Sequence, residues 1–146
     1  MHPLSNTELE EYYKGTPLFL GVYPKNRIPP ALAARKRGSL IVNMNDAGQS
    51  GSHWTLILLE PEHTVYFDPF GVLPSNEVRA FIKKRNKQGF YVDRQLQDLK
   101  STSCGWWCVH FINECMVKKR HIMDVMGDFT YDTRENERLL QSAFEK

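Results

Sequence analysis

The stretch Ser101–Phe111, STSCGWWCVHF, decides how the rest of the chain is read. Three small hydroxyl residues stand before a strongly apolar run. Such side chains are preferred N-caps because they satisfy backbone N–H groups that the first helical turn leaves without partners. From Cys104 to about Lys118 the apolar positions, among them Trp107, Val109, Phe111, Ile112 and Met116, nearly encircle a helical axis. A helix that is apolar all round has to be buried. The pattern predicts a central helix with Cys104 in its first turn, and the other elements must cover it.

Working outward, SLIVNM (Ser39–Met44) and HWTLILLE (His53–Glu60) are apolar runs too short for helices and rich in strand formers, so both read as buried strands. TVYFDPFG (Thr64–Gly71) is a third strand, stopped by Pro69 and Gly71, and the tight connection before it predicts a hairpin with His53–Glu60. Ser75 caps a helix over NEVRAFIKKRNK, with Val78, Ala80, Phe81 and Ile82 on one face. GFYVD (Gly89–Asp93) follows as a short strand. SNTELEEYYKG (Ser5–Gly15) carries the cap and first-turn acids of an N-terminal helix, and Asp132 or Thr133 opens a last helix through RENERLLQSAF. The Pro-rich segment NRIPPALAARKRG (Asn26–Gly38) reads as a surface loop. This order predicts an α+β fold: a small mixed β-sheet packed against the central helix, with flanking helices, in a single domain over 1–146.

Composition bounds what such a domain does. With 25% charged and 41% hydrophobic residues, the chain has ordinary globular usage and needs no staple to fold. The balance of 19 basic against 17 acidic residues, net +2, is too even to imply a dedicated nucleic-acid binder. Two local clusters, KKRNK (Lys83–Lys87) and KKRH (Lys118–His121), sit where cations complement a helix C-terminus. The start has no basic segment followed by an apolar core, and no apolar run approaches the roughly 18 residues of a membrane span, so neither secretion nor a membrane role is expected. Cys104, Cys108 and Cys115 are odd in number and clustered, which is no disulfide framework and fits a reducing compartment.

At a helix start the dipole and the unpaired N–H groups stabilise a thiolate, so Cys104 is a candidate nucleophile as well as a candidate core residue. A nucleophilic thiol needs a base and a group that orients the base. His53 opens its strand directly after the small-residue segment AGQSGS, where a loop leaves room for substrate. Asp68 ends the neighbouring strand. Six residues separate Leu59 from His53, and six separate Glu62 from Asp68, which predicts the two as cross-strand neighbours. Gln97, 104 − 97 = 7 residues before the cysteine, is placed to donate to an oxyanion beside the Cys104 N–H, with Gln95 and Asn113 as competitors. A zinc site built on Cys104, Cys108 and His110 or Cys115 lacks a four-ligand spacing. No cofactor or metal is required by these residues.

The blocks GSHWTLILL, YFDPFG and QDLKSTSCGWWC, in that order, together with PLFLGVYPKNRIP and LIVNMNDAGQSGSHW, resemble the adenovirus-type cysteine proteases, the adenain family, related to the SUMO-deconjugating proteases. The likeness spans most of the chain; from about Lys118 it is similar only in being helical. Matched position by position, the resemblance implies His53 as base, Asp68 as its orienting acid, Gln97 in the oxyanion hole and Cys104 as nucleophile, with Trp54 beside the imidazole and Gly51 and Ser52 in the wall of a substrate cleft. The adenovirus enzymes commonly carry glutamate where this chain has Asp68; the SUMO-deconjugating proteases carry aspartate there. The implied function is a viral endopeptidase that cuts structural precursor proteins of a DNA virus at glycine-containing sites during particle maturation, in the virion and the host cell interior. The alternatives are a SUMO- or ubiquitin-deconjugating isopeptidase and an inactive scaffold that binds peptide or DNA. The adenovirus enzymes are stimulated by DNA and by a short viral peptide, tethered through a cysteine upstream of the nucleophile. No cysteine precedes Cys104 here, so a peptide activator is expected to bind without a disulfide, by strand addition, and the basic clusters to add only a weak DNA contact.

Overall fold

The computed structural model describes residues 1–16, 18–45 and 53–145. Five strands, β1 (Phe19–Pro24), β2 (Gly38–Asn43), β3 (Trp54–Leu59), β4 (His63–Phe67) and β5 (Gln88–Val92), form one sheet in the order β1-β2-β3-β4-β5. The β1–β2 and β4–β5 pairs are parallel, and β2–β3 and β3–β4 are antiparallel, so the sheet is mixed as the sequence predicts. Helix α1 (Asn6–Tyr12) opens with a capping box between Ser5 and Glu8, and α2 (Asn76–Arg85) is capped by Ser75. Helix α3 (Cys104–Ile112) continues into a π-helical turn, Asn113–Val117. Two further helices follow, α4 (Ile122–Met126) and α5 (Thr133–Phe144), the latter capped by Asp132.

The sheet has apolar cover on both faces. Toward α3, a cluster of Ile41, Trp54, Leu56, Val65 and Phe67 meets Trp107, Cys108 and Phe111, with the Phe67 and Phe111 rings stacked at 4.1 Å. Toward α2, Leu40, Val42, Ile57, Leu59 and Tyr66 meet Val78, Phe81 and Ile82. Every residue of β3 is therefore buried, which explains why its sequence is continuously apolar rather than alternating. Ala80 is exposed, contrary to the face expected for it, and Arg85 is buried instead. Its guanidinium donates to the carbonyls of His63, Arg35 and Glu60 and to Thr64 Oγ1, tying α2 to the β3–β4 turn.

Among the described residues, β1 and α4 have no counterpart in the sequence expectation, and two short 3-10 helices, Lys25–Arg27 and Pro30–Ala34, form where a loop is expected. Strand β1 carries an irregularity between Phe19 and Val22, with Gly21 at φ 120°, so its apolar period is broken where the backbone kinks. Helix α4 is only five residues long, too short for a periodic signal. The hairpin forms, but its register pairs Leu59 with Thr64 and Leu56 with Phe67. Continued outward, that register sets position 70, not Asp68, opposite His53. A two-residue offset preserves the face of every side chain, so His53 and Asp68 still point the same way. Among the described residues, no helix is long and apolar enough to cross a membrane.

Candidate active site

Cys104 is the first residue of α3, with Ser103 as its N-cap. The Ser103 carbonyl accepts the Trp107 N–H at 3.1 Å, while its hydroxyl makes no capping bond and turns to Glu137 instead. Cys104 Sγ therefore sits at the positive end of the helix, 3% exposed, and accepts the backbone N–H of Trp54 at 3.4 Å. The neighbouring Gly105 is there for closeness within the chain: a Cβ at this position would lie 3.0 Å from Leu4 Cβ and 3.3 Å from Trp54 Cδ1.

His53 immediately precedes β3, and its carbonyl accepts the Met44 N–H. Its Nε2 meets Asp68 Oδ1 at 2.8 Å. The side chain also hydrogen-bonds Cys104, for which Nδ1 is the nitrogen left. The structure thus brings thiol, imidazole and carboxylate together. Asp68 is 2% exposed, and the same Oδ1 accepts the Phe70 N–H at 2.8 Å, so the turn after β4 holds the carboxylate in place. Burial alone would push the His53 pKa down; the hydrogen bonds to Asp68 and Cys104 outweigh it, and it rises to about 9. The ring packed against the imidazole belongs to Phe70, stacked at 4.7 Å. Trp54, expected in that place, is buried with its indole N–H on the Leu4 carbonyl; it reaches the site through its main chain.

Gln97 is fully buried. Its backbone N–H, with that of Leu96, donates to the Pro69 carbonyl at 2.9 Å, so the segment Asp68-Pro69-Phe70 supports both the imidazole and the glutamine. The Gln97 amide Nε2 donates to the Ser101 carbonyl at 3.1 Å. Gln95 turns its amide onto the Gln97 carbonyl. Asn113 stands nine residues up the helix, roughly 13 Å from its start, where it accepts the Tyr13 hydroxyl; it is not part of this cluster. Gly51 and Ser52 lie outside the described residues.

Cys108 and Cys115 are buried on the helix. Burial holds the Cys108 thiol well above its ordinary range and pushes Cys115 up to about 12, so neither is suited to form a thiolate. Among the described residues, no group of three His, Cys, Asp or Glu side chains is arranged to hold a metal ion. Sequence reasoning missed Phe70, the Pro69 carbonyl and Glu137. The first two lie in the quoted DPFG turn and were visible only as a strand stop. Glu137 lies in the last helix, one position after the buried Asn136 and three before the buried Leu140, and that place beside a buried face was its one signal.

A thiol at a helix start, an imidazole at the head of a strand and a carboxylate beyond the next strand meet on a mixed sheet, the constellation that nucleophilic thiol chemistry requires. The chain belongs to the adenovirus endoprotease family, whose model matches residues 19–143. Its structure is similar to the crystal structure of the ASFV pS273R protease, with a TM-score of 0.66 at 13% identity, over 92% of this chain and 64% of that one. It is also similar to ChlaDub1 from Chlamydia Trachomatis, with a TM-score of 0.52 at 17% identity, over 75% of this chain and 58% of that one. At these identities the likeness is one of fold, and the chain spans less than two thirds of either relative. No curated protein matches it in sequence.

Proposed function

We propose that the chain is a cysteine endopeptidase with Cys104 as nucleophile, His53 as general base and acid, Asp68 as the group that orients His53, and Gln97 as an oxyanion donor. The observation that carries this reading is the His53 imidazole held between a buried carboxylate at 2.8 Å and the thiol at the head of α3. A proton on His53 and a helix N-terminus both favour the thiolate. The Cys104 proton passes to His53 Nδ1, and the thiolate attacks the carbonyl carbon of the scissile peptide as the C=O electron pair moves onto oxygen. The oxyanion meets the Cys104 N–H and the second N–H of the Gln97 amide. Collapse breaks the C–N bond, and His53 gives its proton to the leaving amine. A water deprotonated by His53 then attacks the thioester, and Cys104 leaves as thiolate.

The family supports protein substrates. Cleavage at glycine-containing sites of viral precursor proteins during particle maturation, inside the host cell or virion, extends the same reading and rests on the resemblance. Incubation with a glycine-containing peptide library, read by mass spectrometry, tests it beside SUMO and ubiquitin C-terminal fluorogenic substrates. Peptide cleavage lost in Cys104→Ser is the expected result. Turnover only of the SUMO or ubiquitin substrates identifies a deconjugating isopeptidase, and full activity of Cys104→Ser ends the cysteine-peptidase reading. Iodoacetamide is expected to modify Cys104 while Cys108 and Cys115 stay slow; equal rates for all three count against it.

A further inference from the structure

Helix α5 presses two polar side chains onto the loop that leads into Cys104. Asn136, fully buried, donates Nδ2 to the Leu96 carbonyl at 3.2 Å. One residue on, Glu137 gathers four donors. Its Oε1 accepts the hydroxyls of Ser101 at 2.7 Å and Ser103 at 2.5 Å. Its Oε2 accepts Trp107 Nε1 at 3.1 Å and the backbone N–H of Asp98 at 3.3 Å. A carboxylate offers about four lone-pair sites, so this one is saturated from within the chain. Ser101 is thereby fixed through its hydroxyl, and its carbonyl is the acceptor that holds the Gln97 side-chain amide at 3.1 Å. The linkage runs without a gap from Glu137 to Ser101 to Gln97.

We propose that Glu137 is the positioning residue of the oxyanion site: acting through Ser101, it sets the angle at which the Gln97 amide presents its remaining N–H to the oxyanion. This rests on the roles proposed above for Cys104 and Gln97. Glu137 itself touches neither substrate nor the reacting atoms. An amide aimed a fraction of an ångström wide still allows substrate to bind but stabilises the transition state less, so the loss belongs in kcat rather than KM.

The test uses the whole chain and a cleaved peptide. Glu137→Gln keeps shape but turns an NH2 group toward two of the four donors. It is expected to lower kcat by about 10-fold or more with KM within about 3-fold. The rate and pH profile of Cys104 alkylation should not change, because neither His53 nor Asp68 contacts this network. Ser101→Ala combined with Ser103→Ala removes two donors and should reproduce the kcat loss, which decides the matter if Glu137→Gln does not fold. Gln97→Ala is expected to cost about 10²-fold in kcat, and adding Glu137→Gln to it no more than about a further 3-fold, since the two residues act in series. Unchanged kcat in Glu137→Gln, slowed alkylation of Cys104, or fully multiplicative losses in the double variant overturn the proposal. Full kcat in Gln97→Ala, or turnover surviving in Cys104→Ser, instead removes the oxyanion or nucleophile assignment on which it stands.

Discussion

At the residue scale, Asp68 does two things with one oxygen: Oδ1 accepts from both the His53 Nε2 and the Phe70 N–H. Asparagine can keep its own carbonyl oxygen on the Phe70 N–H only by leaving an uncharged acceptor for the imidazole. Asp68→Asn is therefore expected to lower kcat by roughly 10²- to 10⁴-fold with little change in KM; steady-state kinetics showing a change confined to KM would contradict an orienting role. The raised His53 pKa also sets a pH dependence. The folded chain holds this proton more tightly than the unfolded chain, so its contribution to stability is fully present below about pH 6.5 and is lost as the pH rises through about 9. Urea unfolding between pH 6 and 10 should show stability falling over that window, with a shallower fall in His53→Gln. Peptide cleavage should decline on the alkaline side over the same range; a pH-independent rate up to pH 10 would mean that the imidazolium is not the working form.

At the element scale, the turn after β4 is the piece that joins strand, imidazole and glutamine. Gly71 has φ 75°, and a Cβ there would lie 2.8 Å from both Arg94 C and Gln95 N. No flexible side chain stands in the way to yield; the obstacle is backbone two residues before Gln97. Gly71→Ala is expected to cost about 1–3 kcal/mol of stability and to lower kcat as the 94–97 segment is displaced, while Gly15→Ala, with open space around its Cβ, costs only the strain of its positive φ. Chemical denaturation and kinetics on the pair check this, and equal activity in the two variants would show that the DPFG turn does not support the site. Much of the element pattern was legible: the hydroxyl run before Cys104 marked the start of α3, and the Ser75 and Asp132 caps marked α2 and α5. These signals are local, because a cap needs only the next three residues. Strand β1 was not legible, since a Gly21 kink breaks the alternation that identifies strands.

At the scale of the whole molecule, β5 is an outer strand of the sheet. It exposes Phe90 and Tyr91 beside a groove of about 1110 Å³ that Met123, Met126 and Tyr131 also line. None of His53, Asp68, Gln97 or Cys104 lies in that groove. An unpaired strand edge with an apolar trough accepts an extended segment through its backbone. A peptide activator is therefore expected to act without a disulfide, because Cys108 in α3 and Cys115 in the π-helical turn are buried. Turnover assayed with precursor-derived peptides, with and without reductant, and intact mass measured in parallel, check this; a covalent adduct required for activity would refute it. A DNA contact is expected to be weak, since Arg85 lies inside the fold and Lys118 and Arg120 are paired with Glu114 and Asp128.

What the sequence determined by itself is whatever depends on neighbours along the chain. Periodicity gave the buried helix, continuous apolar runs gave β2 and β3, and chain order with the DPFG stop brought His53 and Asp68 to one end of a hairpin. The rest depends on geometry that no pattern of neighbours reveals, from the closing of one turn to partners tens of residues apart. The hairpin register is fixed by the two-residue Pro61–Glu62 turn, closed by the Glu60 N–H on the His63 carbonyl, and lies two residues from the symmetric count, an offset that period-2 alternation conceals because it leaves each side chain on its face. Phe70, and not Trp54, stacks on the imidazole, since the Trp54 indole is held on the Leu4 carbonyl. The hydroxyls of Ser101 and Ser103, chosen by composition as caps, went instead to Glu137, 36 and 34 positions away. A nearby backbone N–H and a distant carboxylate compete for the same hydroxyl, and a charged acceptor makes the stronger hydrogen bond once folding has brought it within reach.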